Sequence, residues 1–488
     1  MGERTALLVA GTLALHWIVA ATTGLSDTEA YYAQWARNPA LSYYDHPPLV
    51  AWMAWLFTRV SSAPWAVRLG PVLSAAAFAV LVYRLTARLF SPRAAFLAVA
   101  VLSAIPVFFF TGFLLNPEAF LAPLWALFLL LLLDLRDHDE SWRPVAVGAV
   151  IGVAFLAKYT AVLAVPVALM YVAGSASSRR WLRRPSLLLG GIVALALAMP
   201  VIVWNARHGW PSLQLHLSER MTRPASESLG SGLLRVVRGQ LLLFSPVFQP
   251  ALLGVLGVSV VRSWRDERYR FLATTSVPVL AFLLTMMVRA GDSEAHWTMV
   301  GYLPLVVASG AILDEAAGPV RRVARMAFGA AFLLSGAAAA LYAVHVHTPA
   351  LAKGLPWYDP AADPFAETIG WERVSAAIVV HAARLGPGVA VVGAHNVLCG
   401  HIQAAVDDSP PVYCASPRRT QFDFIGRRTP PTGAPVVFVD TERYPADVAL
   451  ALPDRACGTP EGIEIDRSGL HQALVRVRDC APLGGGLP

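Results

Sequence analysis

Charge is what this sequence has least of. Of its 488 residues only 15% are Asp, Glu, Lys or Arg, while 56% are hydrophobic. Soluble domains carry about 25% charged residues. With a mean hydropathy of +0.54, the shortfall excludes an ordinary soluble protein and puts most of the chain in lipid. Cysteine is scarce as well. There are four, Cys399, Cys414, Cys457 and Cys480, all in the last quarter. An even set confined to one hydrophilic segment fits an oxidising compartment, and equally fits free buried thiols. Three pairings are open. No small-residue cleavage site follows the apolar residues 5–23. Asp27 and Glu29 come next instead, so this run is expected to be an uncleaved first span rather than a signal peptide. No internal repeat stands out, and the C-terminal part has no Gly-rich phosphate loop.

What is present in quantity is apolar sequence in span-sized blocks. A crossing helix needs about 20 mostly apolar residues. Such blocks lie near 5–23, 65–88, 94–113, 117–135, 143–158, 160–174, 186–204, 239–261, 270–288, 297–313 and 323–345, which predicts about eleven spans. The net charge of +7 and pI near 9.4 come mostly from Arg in short loops between these blocks. Topology explains that pattern better than nucleic acid, which is not expected as a partner. With the N-terminus inside, the inner loops hold Arg84, Arg88 and Arg93, then Arg136 and Arg143, then Arg179, Arg180, Arg183 and Arg184. Arg262, Arg265, Arg268 and Arg270, and Arg321, Arg322 and Arg325, complete that side. The outer loops hold Asp27, Glu29, Asp45, Asn116, Glu118, Asp292 and Glu294. This places residues 24–64 and the cysteine-bearing tail outside.

A transmembrane domain is therefore expected over 1–348, with outer loops at 24–64 and 205–238, and an extracytoplasmic domain over 349–488. The loop after Asn205 contains His208, Gln214, His216 and Glu219. Its Arg207, Arg220, Arg223, Arg235 and Arg238 run against the positive-inside bias. Cations on that side suit an anionic ligand. Pro356, Pro360 and Pro364 read as a linker. Beyond them, helical periodicity over 371–385 ends at Gly386-Pro-Gly388, and residues 397–406 read as a second helix. Short apolar runs at 389–392, 412–414, 436–439 and 473–477 read as strands. Strands alternating with helices predict a small α/β domain of about 130 residues.

Several residues in the outer loops carry chemistry. Asp27 and Glu29 could be no more than a solvated helix start capped by Ser26 or Asp27. Their place just outside the first span suits a base that takes a proton from a hydroxyl or amine. Two residues apart, they point in different directions on a helix, and Asp27 is favoured as the base. Asp45-His46-Pro47-Pro48 is good turn chemistry, and its prolines would also hold Asp45 and His46 in a fixed direction. A His beside an acid can be cationic and pair with phosphate. One Asp-His pair supplies too few ligands for a metal site, so no cofactor is expected, with a divalent metal beside Asp45 and His46 left open. Lys158 either snorkels or offers an ammonium to phosphate. Asn116-Pro117-Glu118 adds a carboxylate to the same side, with Pro117 placed to start a helix. His296-Trp297 sits at a further outer junction, where Trp is often an interfacial anchor.

Taken in order, Asp27-Thr-Glu29, Asp45-His-Pro-Pro-Leu49, Asn116-Pro-Glu118, Leu156-Ala-Lys158-Tyr159, Asn205 through His208-Gly-Trp210, and His296-Trp297 form a series. That series resembles the bacterial branch of the protein O-mannosyltransferase and aminoarabinose-transferase superfamily of polyprenyl-phosphate-dependent glycosyltransferases. The resemblance covers roughly the first 345 residues, and Pro410-Pro-Val-Tyr413-Cys414 and Gln421-Phe-Asp423 extend it into the tail. It implies a polytopic membrane enzyme of the C-type fold in a bacterial inner membrane, inverting and using a polyprenyl-phosphate sugar. It implies Asp27 as general base. Glu29, Tyr44, Asp45, His46, Asn116, Glu118, Lys158, His208, Arg220 and His296 are expected to bind substrate. In the aminoarabinose transferases the basic residue of the Pro-Pro motif is a lysine. His46 is a departure, being shorter and only partly charged at neutral pH, which shifts phosphate binding toward Lys158 and Arg220. The acceptor is left open among lipid A, another lipid, a glycan and a protein. A flippase of lipid-linked sugars is the competing reading. It would call for buried charges and broken helices at mid-membrane, whereas the charges here gather at the outer ends.

Overall fold

A computed structural model describes residues 1–222, 228–348, 363, 366–467 and 470–483. Arg223 and the expected linker prolines Pro356, Pro360 and Pro364 lie outside them. Among the described residues, six helices are long and apolar enough to cross a membrane: Glu3–Thr22, Pro64–Leu89, Pro117–Asp137, Pro185–Arg207, Glu267–Arg289 and Ala295–Glu315. Shorter apolar helices lie at Leu49–Thr58, Pro92–Ala104, Trp142–Ala157 and Tyr159–Gly174. The helix expected over 323–345 lies within Gly318–His347.

Two predicted spans are not single rods. The block at 94–113 divides into Pro92–Ala104 and Pro106–Thr111, with Ile105 extended at φ −79°, ψ 120°. Proline disfavours the α region for the residue before it and lacks the N–H that the helix ladder needs. The block at 239–261 divides into Leu229–Phe244 and Phe248–Arg262, bent by 100°. Ser245 at the break has a φ of +76°, and Pro246 follows it. The expected loop at 24–64 is also largely helical, with helices Asp27–Arg37 and Leu49–Thr58 inside it.

The chain divides into two compact units. The first comprises Met1–Ala20, Ala40–Val50 and Arg68–Ala339, and the second comprises Ala21–Pro39, Ala51–Val67 and Ala340–Pro488. The first is a helical bundle. Its helices Trp142–Ala157 and Pro185–Arg207 approach through glycine. A Cβ on Gly148 would stand 1.9 Å from the carbonyl oxygen of Gly190. Small residues let membrane helices pack backbone to backbone. One end of the Pro117–Asp137 helix carries a polar cluster in which Asp134 meets Arg88 and, at 3.1 Å, Arg143. Glu118 stands at the other end, about 24 Å away along the helix axis.

The second unit contains a six-stranded sheet. Strands β1 (Ala390–Gly393), β2 (Val412–Cys414), β3 (Val436–Thr441), β4 (Arg455–Cys457), β5 (Glu461–Arg467) and β6 (Leu470–Pro482) are ordered β2-β1-β3-β6-β4, with β5 also on β6. β1 runs parallel to β2 and β3, and β6 is antiparallel to β3, β4 and β5. Every residue of β3 is buried, as a strand covered on both faces requires. The helices Trp371–Leu385 and Asn396–Val406 match the periodicity seen in the sequence. Cys457 and Cys480 are disulfide-bonded across the β4–β6 pair, and Cys399 and Cys414 are buried free thiols.

Candidate functional site

Asp27 opens the Asp27–Arg37 helix, and Ser26 caps it. The Ser26 hydroxyl accepts from the Glu29 N–H, while the Glu29 carboxylate accepts from the Ser26 N–H at 3.0 Å and from its hydroxyl at 3.1 Å. This is a capping box. Glu29 was expected to bind substrate; its carboxylate, 1% exposed, closes the cap instead.

The Asp27 carboxylate faces the C-terminal part of the second unit. Its Oδ1 accepts from His401 Nε2 at 2.9 Å and its Oδ2 from the Tyr444 hydroxyl at 2.9 Å, with Arg443 Nη1 at 3.5 Å. The Asp27 N–H donates to Glu367 Oε2 at 3.0 Å, and Arg443 donates to Glu367 Oε1 at 2.9 Å. Trp371 stacks on His401 with ring centroids 4.1 Å apart, and His395 stacks on Tyr444 at the same separation. His401 sits close because Gly400 lets the helices touch. A Cβ there would come within 2.8 Å of the Ala30 backbone.

Burial pushes the Asp27 carboxyl up, but the hydrogen bond and charge from His401, the Tyr444 hydrogen bond and the Arg443 charge outweigh it. Asp27 is therefore held below the usual carboxylate range and is ionised at neutral pH. Glu367 moves the other way, raised by burial and then by the Asp27 charge. Each Asp27 oxygen keeps lone-pair capacity beyond its one short hydrogen bond, so the carboxylate is fixed in direction yet can accept a further proton. His401 is 3% exposed beneath the Trp371 ring, which suits it to orient Asp27.

A second cluster lies in the helical unit. Asn116 caps the Pro117–Asp137 helix, its Oδ1 accepting from the Ala119 N–H at 2.8 Å. Glu118, in the first turn, receives the ammonium of Lys158, and its Oε1 lies 2.9 Å from His296 Nε2. His296 Nδ1 lies 3.3 Å from Glu294. The structure thus brings together three expected residues from distant segments. The side chains of Glu118 and Lys158 are each 7% exposed.

Tyr44, Asp45 and His46 meet the loop after Asn205. The Tyr44 hydroxyl donates to Glu219 Oε2 at 3.3 Å, and His216 Nε2 donates to the Asp45 carbonyl at 2.7 Å. The rings of His46 and His216 are 6.0 Å apart. Arg220 Nε stands 3.5 Å from Asp292, and its guanidinium lies 6.0 Å from the Trp297 ring. The sequence leaves His46 only partly charged at neutral pH. Burial and the nearby charges of Lys158, His216 and Arg220 hold its pKa well below the usual value, so the ring is neutral. His216 falls to about 4 through burial and the charge of Arg220. His208 is exposed and serves its own helix end, with Nδ1 2.7 Å from the Trp204 carbonyl and its ring stacked on Trp204. Among the described residues, no three His, Cys, Asp or Glu side chains converge as a metal ion would require. The described residues do not fit such a site.

His401, Tyr444, Arg443 and Glu367 escaped the sequence reading. They lie 340 or more residues from Asp27, and no spacing pattern links them to it.

Comparison with known proteins agrees with this architecture. The family of dolichyl-phosphate-mannose-protein mannosyltransferases matches residues 45–204. The lipid A galacturonosyltransferase RgtD of Rhizobium johnstonii is 25% identical over 317 residues. That match covers 62% of this chain and 64% of the relative, so just under two thirds of the relative's length is spanned. Crystal structures of ArnT from Cupriavidus metallidurans align over 97% of both chains. The complex with undecaprenyl phosphate gives a TM-score of 0.67 at 19% identity, and the apo state gives 0.64 at 15%. The fold is that of the C-type membrane glycosyltransferases.

Proposed function

We propose that this chain, a member of the C-type glycosyltransferase superfamily by fold, transfers a sugar from a polyprenyl-phosphate donor to a lipid or glycan acceptor. The observation that carries the reading is the Asp27 carboxylate, ionised and aimed by His401 and Tyr444. The names of the relatives support the donor and the acceptor class. One is a lipid A galacturonosyltransferase, and one was crystallised with undecaprenyl phosphate.

In this mechanism Asp27 takes the proton of an acceptor hydroxyl. The oxygen attacks the anomeric carbon, the bond from that carbon to the phosphate oxygen breaks, and the polyprenyl phosphate leaves with the electron pair. Attack from the face opposite the leaving group inverts the configuration. Lys158, Arg220 and His296 supply cations or hydrogen-bond donors for the phosphate as its charge grows. Glu118 keeps Lys158 and His296 in place until a stronger anion arrives. His46 contributes a neutral hydrogen-bonding ring, while the Tyr44 and Asp45 segment seats the loop after Asn205. An apolar cavity of about 540 Å³, lined by Leu7, Leu15, Phe109, Phe110, Leu242 and Phe332, has room for part of a lipid chain.

For orientation we take the N-terminus as cytoplasmic and the sheet-bearing domain as extracytoplasmic. The Arg-rich cluster at the Asp134 end of the Pro117–Asp137 helix and the Glu118 cluster at its other end support this. Purified protein given polyprenyl-phosphate sugars and candidate acceptors tests the reading. Polyprenyl phosphate should be released only when an acceptor is present. Lipid movement across vesicles without that release would instead support a flippase.

A further inference from the structure

A cavity of about 410 Å³ lies in the second unit, bounded by the Asp27–Arg37 helix, the Leu49–Thr58 helix and the Asn396–Val406 helix. Gln34, Arg37, Trp55, Arg59, Gln403 and Asp407 are among its lining residues. It differs from an ordinary packing gap in its unsatisfied polar groups. Gln34 is 2% exposed, and neither atom of its amide has a hydrogen-bond partner among the described residues. Gln403, also 2% exposed, leaves its carbonyl oxygen in the same condition. Buried amides are normally satisfied, and an orphan calls for a ligand or another explanation.

The rest of the lining says what kind of ligand. Trp55 is large, 40% exposed and flat, a surface on which the apolar face of a sugar ring stacks. Two primary amides offer donors and acceptors to ring hydroxyls. Arg59 lies 5.3 Å from the Trp55 ring, and no carboxylate among the described residues pairs with it. Arg37 is held by Asp407 at 2.6 Å. The chemistry is that of a saccharide carrying an oxyanion.

Position ties the cavity to Asp27. Asp27, Ala30, Gln34 and Arg37 recur at helical spacing along one face of their helix. Gln34 stands roughly 10 Å beyond Asp27 along the axis. We propose that this cavity binds the anionic saccharide part of the acceptor, seating its reactive hydroxyl toward Asp27. The assignment of the ligand as acceptor rests on the glycosyltransferase reading above. The phosphate or carboxylate on the sugar would pair with Arg59.

Isothermal titration of the full-length protein in detergent tests this with four probes: glucosamine 1-phosphate, glucuronic acid, glucosamine and inorganic phosphate. The two anionic sugars should bind about tenfold more tightly than glucosamine or phosphate. Preference for only one of the two would identify the oxyanion as phosphate or carboxylate. Arg59→Ala should erase the preference for anionic sugars, and Trp55→Ala should weaken every sugar. Both side chains are exposed, so helix content by circular dichroism should be unchanged. Equal binding of phosphate and sugars, or binding indifferent to both substitutions, overturns the proposal. In a transfer assay the same variants should raise the acceptor KM about tenfold and leave kcat and donor KM alone. Active variants with unchanged acceptor KM overturn the cavity's role and leave the enzyme standing. Selective sugar binding without transfer by wild-type protein preserves the cavity and sinks the enzyme.

Discussion

His401 donates from Nε2 to Oδ1 of Asp27 at 2.9 Å, although 374 residues separate them. That bond, with the Tyr444 bond on the other oxygen, keeps Asp27 ionised against the cost of its burial. Removing the donor should therefore raise the pKa of Asp27. In His401→Ala, the acid limb of the rate profile should move to higher pH, since more alkali is then needed to ionise the base. The rate at the optimum should fall by about 10- to 100-fold. His401→Gln, which keeps an N–H, should recover part of it. An unmoved acid limb would mean that His401 does no more than fill space.

The same bond predicts a stability effect with a definite sign. A depressed carboxylate pKa contributes stability above the unfolded-state pKa, and that contribution is lost as pH falls through the folded-state pKa. Wild type should lose more stability than Asp27→Asn on going from neutral to acidic pH. Thermal unfolding across that range measures it, and parallel curves would count against the arrangement.

Glu118 and Lys158 form a buried pair. Removing one partner strands the other charge, which typically costs about 3–5 kcal/mol. Glu118→Ala and Lys158→Met should each lower Tm clearly. The double substitution should restore most of the Tm and still leave donor affinity weak. If the double variant binds donor normally, the phosphate role of Lys158 fails.

His46 is neutral, so its contribution should not depend on charge. His46→Gln should keep donor affinity within about threefold, because a neutral amide can replace a neutral imidazole hydrogen bond. Donor affinity should show no change assignable to His46 titration between mildly acidic and neutral pH. A large loss in His46→Gln that follows pH would restore the cationic reading.

The Cys457–Cys480 bridge closes a segment with a sequence separation of 23. A loop of that size contributes about 3 kcal/mol by the chain-entropy argument. Reduction should lower the unfolding temperature of the tail domain. Thiol labelling of native, unreduced protein should find nothing, and after unfolding it should find two thiols, Cys399 and Cys414. Two labelled sites in the native state would contradict the burial seen here.

Much of this architecture is legible in the sequence because lipid leaves few options. Apolar blocks mark the helices, and the Arg bias separates the Asp134 end from the Glu118 end of one helix. Glu118, Lys158 and His296 each stand at one end of an apolar block, and the Arg bias predicts the same side of the membrane for all three. Local chemistry was harder. The Ser-Asp-Thr-Glu start reads equally as a cap and as a site; Ser26 and Glu29 form the cap, and Asp27 faces His401. Ser245 and Pro246 break a continuous apolar run that hydropathy alone reads as one span. β4 and β5 escaped notice because a three-residue strand has almost no periodicity, and the alternation around Ile463 and Ile465 is short. Nothing in sequence spacing pairs Asp27 with Tyr444, since long-range pairing is set by the packing of the whole domain.

The most direct measurement is turnover of Asp27→Asn beside wild type, with purified protein, a polyprenyl-phosphate sugar and an acceptor. Asparagine preserves size but cannot take the proton, and its single carbonyl oxygen can accept from only one of the two donors, His401 or Tyr444. The account predicts a loss of about 100-fold or more in polyprenyl phosphate release, with donor binding near that of wild type at neutral pH. Near-normal turnover would contradict it, and the base would have to be sought elsewhere.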